Sequence, residues 1–335
     1  MRLSHQTVSF CPTCFLEIPA KVTVTENSVL MSKTCPVHGA SSGLVERDPL
    51  FYQIVRSLNS PSIYDGHFID VTQRCNLECA FCYYPIQKAD PEGEYTIDRL
   101  VNEAKVNRHR APFIITGGEP TLRSDIAEVM AKLQEVGPIE LLTNGTVLAN
   151  EKKFAELMPL ITQDGEASLN LSLHLKETDK WMEVVARCRS LGVKIESALI
   201  VINSRDEFLM AVELAKTLKD VVISFRIKAA SLLWNEQKPQ EKIFVSDMWS
   251  WLDRTGKPVQ LIPQRHNKVS IVNVAYDGMW IMIVSWYDRT NIDLIDVDCA
   301  PWYRARNGEV KNFVVSCLIN EGLEESWCKG KKVGK

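Results

Sequence analysis

No stretch of this 335-residue chain is apolar for long enough to cross a bilayer as a helix, so no membrane span is expected. The opening residues, Met1 to Phe10, lack the apolar run of a signal peptide, and the chain is expected to be cytoplasmic. Charge of one sign is also missing. With 39 basic and 42 acidic residues the net charge is −3, which gives no global pull toward nucleic acid or anionic membrane. The basic tail of Lys329, Lys331, Lys332 and Lys335 reads as a solvated end. There is no internal repeat and no low-complexity linker. A hydrophobic content of 45% supports a proper core, and the length suits one large domain with a smaller attachment.

Cysteine is not scarce. The chain has ten, which without a signal peptide suggests metal ligands rather than disulfides. They are grouped: Cys11, Cys14 and Cys35 at the start, Cys75, Cys79 and Cys82 in the first third, and Cys299, Cys317 and Cys328 near the end. Cys188 stands alone in a segment of helical periodicity, Trp181 to Cys188, and is expected in the core.

The central group reads C-N-L-E-C-A-F-C, with three and then two residues between thiols. Three thiolates that close can hold three corners of a cubane iron–sulfur cluster and leave the fourth iron open to a ligand. The rival is a structural zinc knuckle, although zinc prefers paired thiols with two to four residues between them and a fourth ligand. The spacing, with Phe81 before the last cysteine, resembles the cluster motif of the radical S-adenosylmethionine (SAM) superfamily. That resemblance implies a 4Fe–4S cluster whose open iron is chelated by the amino and carboxylate groups of SAM. It implies reductive cleavage of SAM to a 5′-deoxyadenosyl radical and hydrogen abstraction from a substrate. An electron donor such as flavodoxin or ferredoxin is the implied partner, with no nucleic acid and no membrane.

Strand-like and helix-like segments alternate from residue 67 onward. Strands are expected at 67–72, 112–116, 139–143, 168–174, 193–202 and 221–227, and helices at 96–107, 125–136, 151–160, 179–191 and 206–218. Such alternation implies parallel βαβ units. The resemblance turns these into an α/β fold with a partial (β/α)6 TIM-like barrel. In barrels of this kind chemistry collects where strands end, and the polar candidates lie there. Gly117-Gly118-Glu119-Pro120 follows the second strand, Thr143 and Asn144 end the third, Ser172 and His174 lie late in the fourth, and Arg226 and Lys228 close the sixth.

The resemblance assigns Gly117, Gly118 and Glu119 to the methionine amino group of SAM, with glycine allowing close backbone approach and positive φ. It places Tyr83 and Tyr84 near the adenine, Ser172 and His174 near the ribose or carboxylate, and Thr143 and Asn144 at the same mouth. Arg226 is a candidate fork for the SAM carboxylate. Each of these side chains has a plainer alternative as a capping or internally hydrogen-bonded polar residue.

Residues 1–50 differ in pattern. Cys11-Pro-Thr-Cys14 and Cys35-Pro-Val-His38 flank a small hairpin and make a Cys3His metal site, either closed zinc or iron, with His38 or a C-terminal cysteine as fourth ligand. This segment resembles the start of the class D radical SAM methylases. A barrel is expected over 60–235. A C-terminal α+β lobe is expected over 236–335, with a helix at 241–254, a hairpin at Tyr276-Asp277-Gly278, and Trp280, Trp286, Trp302 and Tyr303 as candidate cavity residues. Cys299, Cys317 and Cys328 are expected to ligate an auxiliary iron–sulfur cluster, to donate hydrogen, or to be ordinary cysteines. The expected activity is radical modification of a small molecule of the sugar or nucleoside type, leading to sulfur insertion or epimerisation. Methyl or methylene transfer is the alternative. A non-catalytic metal-binding protein is the alternative of another class, but it would not need the Gly-Gly-Glu segment.

Overall fold

The computed structural model describes residues 4–58, 66–79, 82, 94–162, 167–175, 178–229, 242–263, 271–285 and 290–294, together with the strands at 302–304 and 310–312. Cys299, Cys317, Cys328, Tyr83 and Tyr84 lie outside the described residues.

The chain begins with an antiparallel sheet, β1 (Ser4–Phe10), β2 (Glu17–Val24), β3 (Val29–Cys35) and β4 (Gly39–Glu46), in the order β1-β2-β3-β4. The small hairpin expected there is thus the middle of a four-stranded meander. The alternation in β2 and β3 puts Val22, Val24, Val29 and Met31 on one face, where they pack with Tyr52 of α1 (Pro49–Leu58).

Six parallel strands follow in sequential order: β5 (His67–Thr72), β6 (Phe113–Gly117), β7 (Ile139–Thr143), β8 (Ala167–Leu173), β9 (Ile195–Ile202) and β10 (Val222–Ala229). Between them run α2 (Ile97–Val106), α3 (Ile126–Gln134), α4 (Glu151–Thr162), α5 (Thr178–Leu191) and α6 (Arg205–Leu218). Thr96 caps α2 by accepting from Arg99 N, as its position predicts. Cys188 is fully buried on α5 with Trp181, Val184 and Val185, and burial pushes its thiol up to about 11. It is a core residue.

The C-terminal segment is joined to the barrel sheet. After α7 (Val245–Asp253), β11 (Val259–Leu261), β12 (Ile271–Tyr276) and β13 (Met279–Val284) extend it, with β13 parallel to β10. The β12–β13 turn has Asp277 and Gly278 at φ of 51° and 76°, as an Asp-Gly hairpin requires. At the other edge β14 (Trp302–Arg304) runs parallel to β5, followed by β15 (Val310–Asn312).

The N-terminal sheet is docked rather than tethered. Thr7 and Ser9 donate to Asp293 Oδ1 and the Ile292 carbonyl at 2.5 and 2.6 Å, and Asn291 donates to the Leu44 carbonyl at 2.7 Å. Glu46, buried at the junction, accepts from Ser246 of α7 and from the Arg47 and Asp48 amides, all on Oε1. Burial pushes its carboxyl up to about 6, against 4.5 for a free group. The neutral form is therefore favoured in the fold, and stability is full below pH 4.5 and falls as pH rises through 6. The loss amounts to about 2 kcal/mol. Glu46→Gln keeps the acceptor oxygen and removes the charge. Its denaturation midpoint is expected to exceed that of the unmodified chain at pH 7.5 but not at pH 4.5.

Candidate active site and metal centre

The loop after β5 carries Cys75, Cys79 and Cys82, all half-buried. It is pinned by two backbone hydrogen bonds. Gly118 N donates to Thr72 O at 2.9 Å and Glu119 N to Arg74 O at 2.7 Å, which stitches the loop after β6 onto the cysteine loop. The two glycines are demanded by this contact. A Cβ on Gly117 would lie 2.2 Å from Thr72 O, and one on Gly118 2.2 Å from Arg74 O. These glycines bring the backbone close to the neighbouring loop.

Glu119 is fully buried and turns inward. Its Oε1 accepts from Thr121 N, the Thr121 hydroxyl and the Thr143 hydroxyl at 3.0, 2.5 and 2.6 Å, and Oε2 accepts from Asn144 N at 2.7 Å. Burial raises its carboxyl, and these four hydrogen bonds oppose that rise. Thr143 and Asn144 therefore serve the carboxylate and tie the end of β7 to the loop after β6.

A closed ring of side chains adds a third pin. Asn76, inside the cysteine loop, donates to the Thr146 hydroxyl at 2.7 Å. Thr146 donates to Asn144 Oδ1 at 2.6 Å, and Asn144 Nδ2 donates back to Asn76 Oδ1 at 3.0 Å. Arg74 and the Thr72 hydroxyl share Glu94 Oε1 at 2.7 and 2.5 Å. The buried Arg123 donates to the Val71 and Tyr95 carbonyls and forks onto Asp125. Sequence reasoning missed Asn76, Thr146, Arg74, Glu94 and Arg123, because nothing in their spacing marks loop supports. Asn76→Ala leaves two buried partners short of a hydrogen bond, at about 1–3 kcal/mol. The expected result is faster loss of iron from the reconstituted chain on chelator challenge, followed by absorbance near 400 nm.

Burial raises the thiols of Cys75 and Cys79, the latter to about 11. Cys82 and Cys75 raise Cys79 further, and Glu119 and Cys82 raise Cys75. Three soft donors on one loop, coupled through their charges, resist losing their protons one by one. A bound metal deprotonates coordinating thiols outright, so this donor set fits an iron–sulfur cluster and would ligate it through three sulfurs. His174 stands beside them, with Nδ1 3.6 Å from Cys79 Sγ. Its carbonyl accepts from Trp181 Nε1 at 3.2 Å. Ser172 lies half-buried on the concave face of β8, level with Leu199. Arg226 lies on β10, level with Leu199 and Met282, at the far side of the barrel sheet from β5.

A second centre is formed by Cys11, Cys14, Cys35 and His38, in the β1–β2 and β3–β4 turns, with all four ligand atoms within 4.8 Å of one another. Cys11 Sγ and Cys35 Sγ lie 3.7 and 3.6 Å from His38 Nδ1, and Cys14 Sγ lies 3.9 Å from Cys35 Sγ. Tetrahedral bonds of about 2.3 Å to sulfur and about 2.0 Å to nitrogen give edges of about 3.5–3.8 Å. The set therefore fits one tetrahedral ion with His38 as fourth ligand. Burial works against the Cys11 thiolate, but the Cys14 and Thr13 amides and the neighbouring thiols lower its pKa to about 6.

Residues 69–215 match the family model of the Radical SAM superfamily, and residues 3–47 match that of the HMPTM N-terminal zinc ribbon domain. The 7,8-dihydro-6-hydroxymethylpterin dimethyltransferase of Methanocaldococcus jannaschii is 28% identical over 180 residues, covering 44% of this chain and 35% of that protein. A GTP 3′,8-cyclase of Limosilactobacillus fermentum is 29% identical over 132 residues, covering 36% of this chain and 37% of the cyclase. The chain thus spans little more than a third of the length of these curated relatives. The crystal structure of Streptococcus suis SuiB bound to precursor peptide SuiA superposes with a TM-score of 0.53 at 14% identity, covering 81% of this chain and 64% of SuiB, a likeness of fold.

Proposed function

We propose that this chain, which belongs to the radical SAM superfamily, is an enzyme that cleaves SAM reductively to methionine and a 5′-deoxyadenosyl radical, whose hydrogen abstraction joins a methyl or methylene unit from a separate one-carbon donor to a small fused heterocycle. The observation that carries this is the loop of Cys75, Cys79 and Cys82 clamped by Gly117–Glu119 at the C-terminal ends of β5 and β6, where barrel chemistry collects. When bound, the cluster supplies the electron that breaks the SAM sulfonium bond.

The protein's own groups do the rest. Glu119 is consumed by internal hydrogen bonds, so main-chain carbonyls of Gly117 and Gly118 are the acceptors for the SAM amino group. Ser172, late in β8, and His174, just after it, serve its ribose or carboxylate, and Tyr83 and Tyr84, which follow Cys82 in the sequence, are assigned to its adenine by resemblance alone. The barrel wall keeps water from a radical that would react with it. A tetrahedral zinc in the N-terminal ribbon holds that sheet together, and an outside flavodoxin or ferredoxin supplies electrons.

Methyl or methylene transfer takes precedence over sulfur insertion and epimerisation. The ribbon match and the Methanocaldococcus jannaschii dimethyltransferase both favour it. The two curated relatives are named for a dihydropterin and for GTP. Both compounds contain a 2-amino-4-oxopyrimidine ring, and we take that ring as the substrate class.

Anaerobically reconstituted chain with dithionite and SAM is expected to release 5′-deoxyadenosine, and Cys79→Ala to reduce this to background. Undiminished release from the variant would overturn the assignment.

A further inference from the structure

The concave face of the barrel carries charges that neither the cluster nor SAM uses. Along each strand one set of side chains enters the core against the helices, such as Leu169, Leu171 and Leu173 on β8 or Phe225 and Ile227 on β10. The alternate set faces inward, and among apolar members such as Leu142 and Leu199 it includes Glu140 on β7, Asn170 on β8, Ser197 on β9 and Arg226 on β10. The register Asn170 to Ser197 and Leu142 to Asn170 makes the first three a diagonal row.

The row has a direction. Ser197 donates to Asn170 Oδ1 at 2.5 Å, and Asn170 Nδ2 donates to Glu140 Oε2 at 3.1 Å. Glu140 Oε1 has no partner among the described residues, and Arg226 makes no hydrogen bond or ion pair among them. Burial raises the Glu140 carboxyl and the Arg226 charge opposes the rise, so the two sense each other without touching. Both are half-buried, and opposite charges partly shielded from water yet not in contact leave some electrostatic stabilisation unrealised. A ligand that seats between them can satisfy both.

We propose that Glu140 and Arg226 read two edges of the substrate ring. This rests on the 2-amino-4-oxopyrimidine assignment above. Such a ring presents its amino group and adjacent ring N–H as a donor pair on one edge, which matches a carboxylate. On the next edge it presents the oxo oxygen and a nearby ring nitrogen as an acceptor pair, which matches the guanidinium fork. Asn170 and Ser197 hold Glu140 in place and are positioning residues. Arg226 is thereby given to the substrate rather than to the SAM carboxylate.

The test is anaerobic fluorescence titration of the metal-loaded full chain, with SAM present, by pterin and by lumazine, which has oxygen in place of the 2-amino group. Wild type is expected to bind pterin about tenfold or more tightly than lumazine, the discrimination of one bidentate contact. Glu140→Gln is expected to bring the two ligands within about threefold, and Arg226→Met to weaken both by about tenfold. A preference that survives Glu140→Gln, or a wild type that binds neither ligand, would overturn the inference. Should one variant fail to fold, the other decides alone. Release of 5′-deoxyadenosine by the wild-type preparation separates the outcomes. If it is absent, the radical enzyme reading fails; if it is present and the binding pattern is unmoved, only the ring-reading role fails.

Discussion

Gly117→Ala is expected to empty the cysteine loop of iron and abolish SAM cleavage in a chain whose barrel still folds. Two costs combine. The new Cβ would lie 2.2 Å from the Thr72 carbonyl, which belongs to the backbone and cannot swing aside. The φ of 142° at this position is also one that side-chain-bearing residues rarely adopt. Overpacking costs about 1–3 kcal/mol and the backbone strain about 1–3 kcal/mol more. The strain can be relieved only by moving the loop after β6 away from the cysteine loop, which breaks the Gly118 to Thr72 and Glu119 to Arg74 hydrogen bonds. Gly192→Asn is the control. Gly192 has a φ of 69°, but a Cβ there meets nothing within 4 Å. It should retain iron and activity. Equal iron content in Gly117→Ala and wild type would show that the clamp does not hold the loop.

Cys35→Ser is expected to release zinc while leaving the barrel's iron in place. Cys35 is buried between the turns that carry Cys11, Cys14 and His38, and its sulfur is close to both His38 and Cys14. Zinc binding supplies on the order of 10 kcal/mol of folding energy to small ribbons. The apolar cluster of the N-terminal sheet is small, with Ala20, Val22, Val24, Val29, Met31 and Tyr52. The expected outcome is zinc at background by elemental analysis, a lower melting temperature, and proteolysis within residues 11–38. The converse variant, with Cys75, Cys79 and Cys82 all replaced by Ala, should keep its zinc and lose its iron. Loss of both metals from either variant would mean that the two centres are not independent.

Much of this was legible before any coordinates. The six barrel strands and their helices emerge at the expected places because each apolar run is bounded by caps and turns, as at Thr96 and at Asp277-Gly278. The metal spacing of residues 11–38 leads directly to a tetrahedral site, because two short turns at one end of a meander must meet. The role of Glu119 was not legible. Motif spacing says that an acid is present, but not that Thr121, Thr143 and Asn144 enclose it. The supports of the cysteine loop were equally hidden, since Asn76 meets Thr146 across 70 positions and only the placing of β5 and β7 on either side of β6 brings them together. The inward row was half visible. Ser168, Asn170 and Ser172 alternate with leucines, which marks a strand with one polar face, but only the register shows Glu140, Asn170 and Ser197 in line.

Electron paramagnetic resonance of the dithionite-reduced, anaerobically reconstituted chain, recorded before and after addition of SAM, tests the central claim most directly. The account predicts the signal of one reduced cubane that changes shape when SAM is added and is lost in the Cys75/Cys79/Cys82→Ala variant. A spectrum indifferent to SAM, or zinc bound by those three thiols, would contradict it.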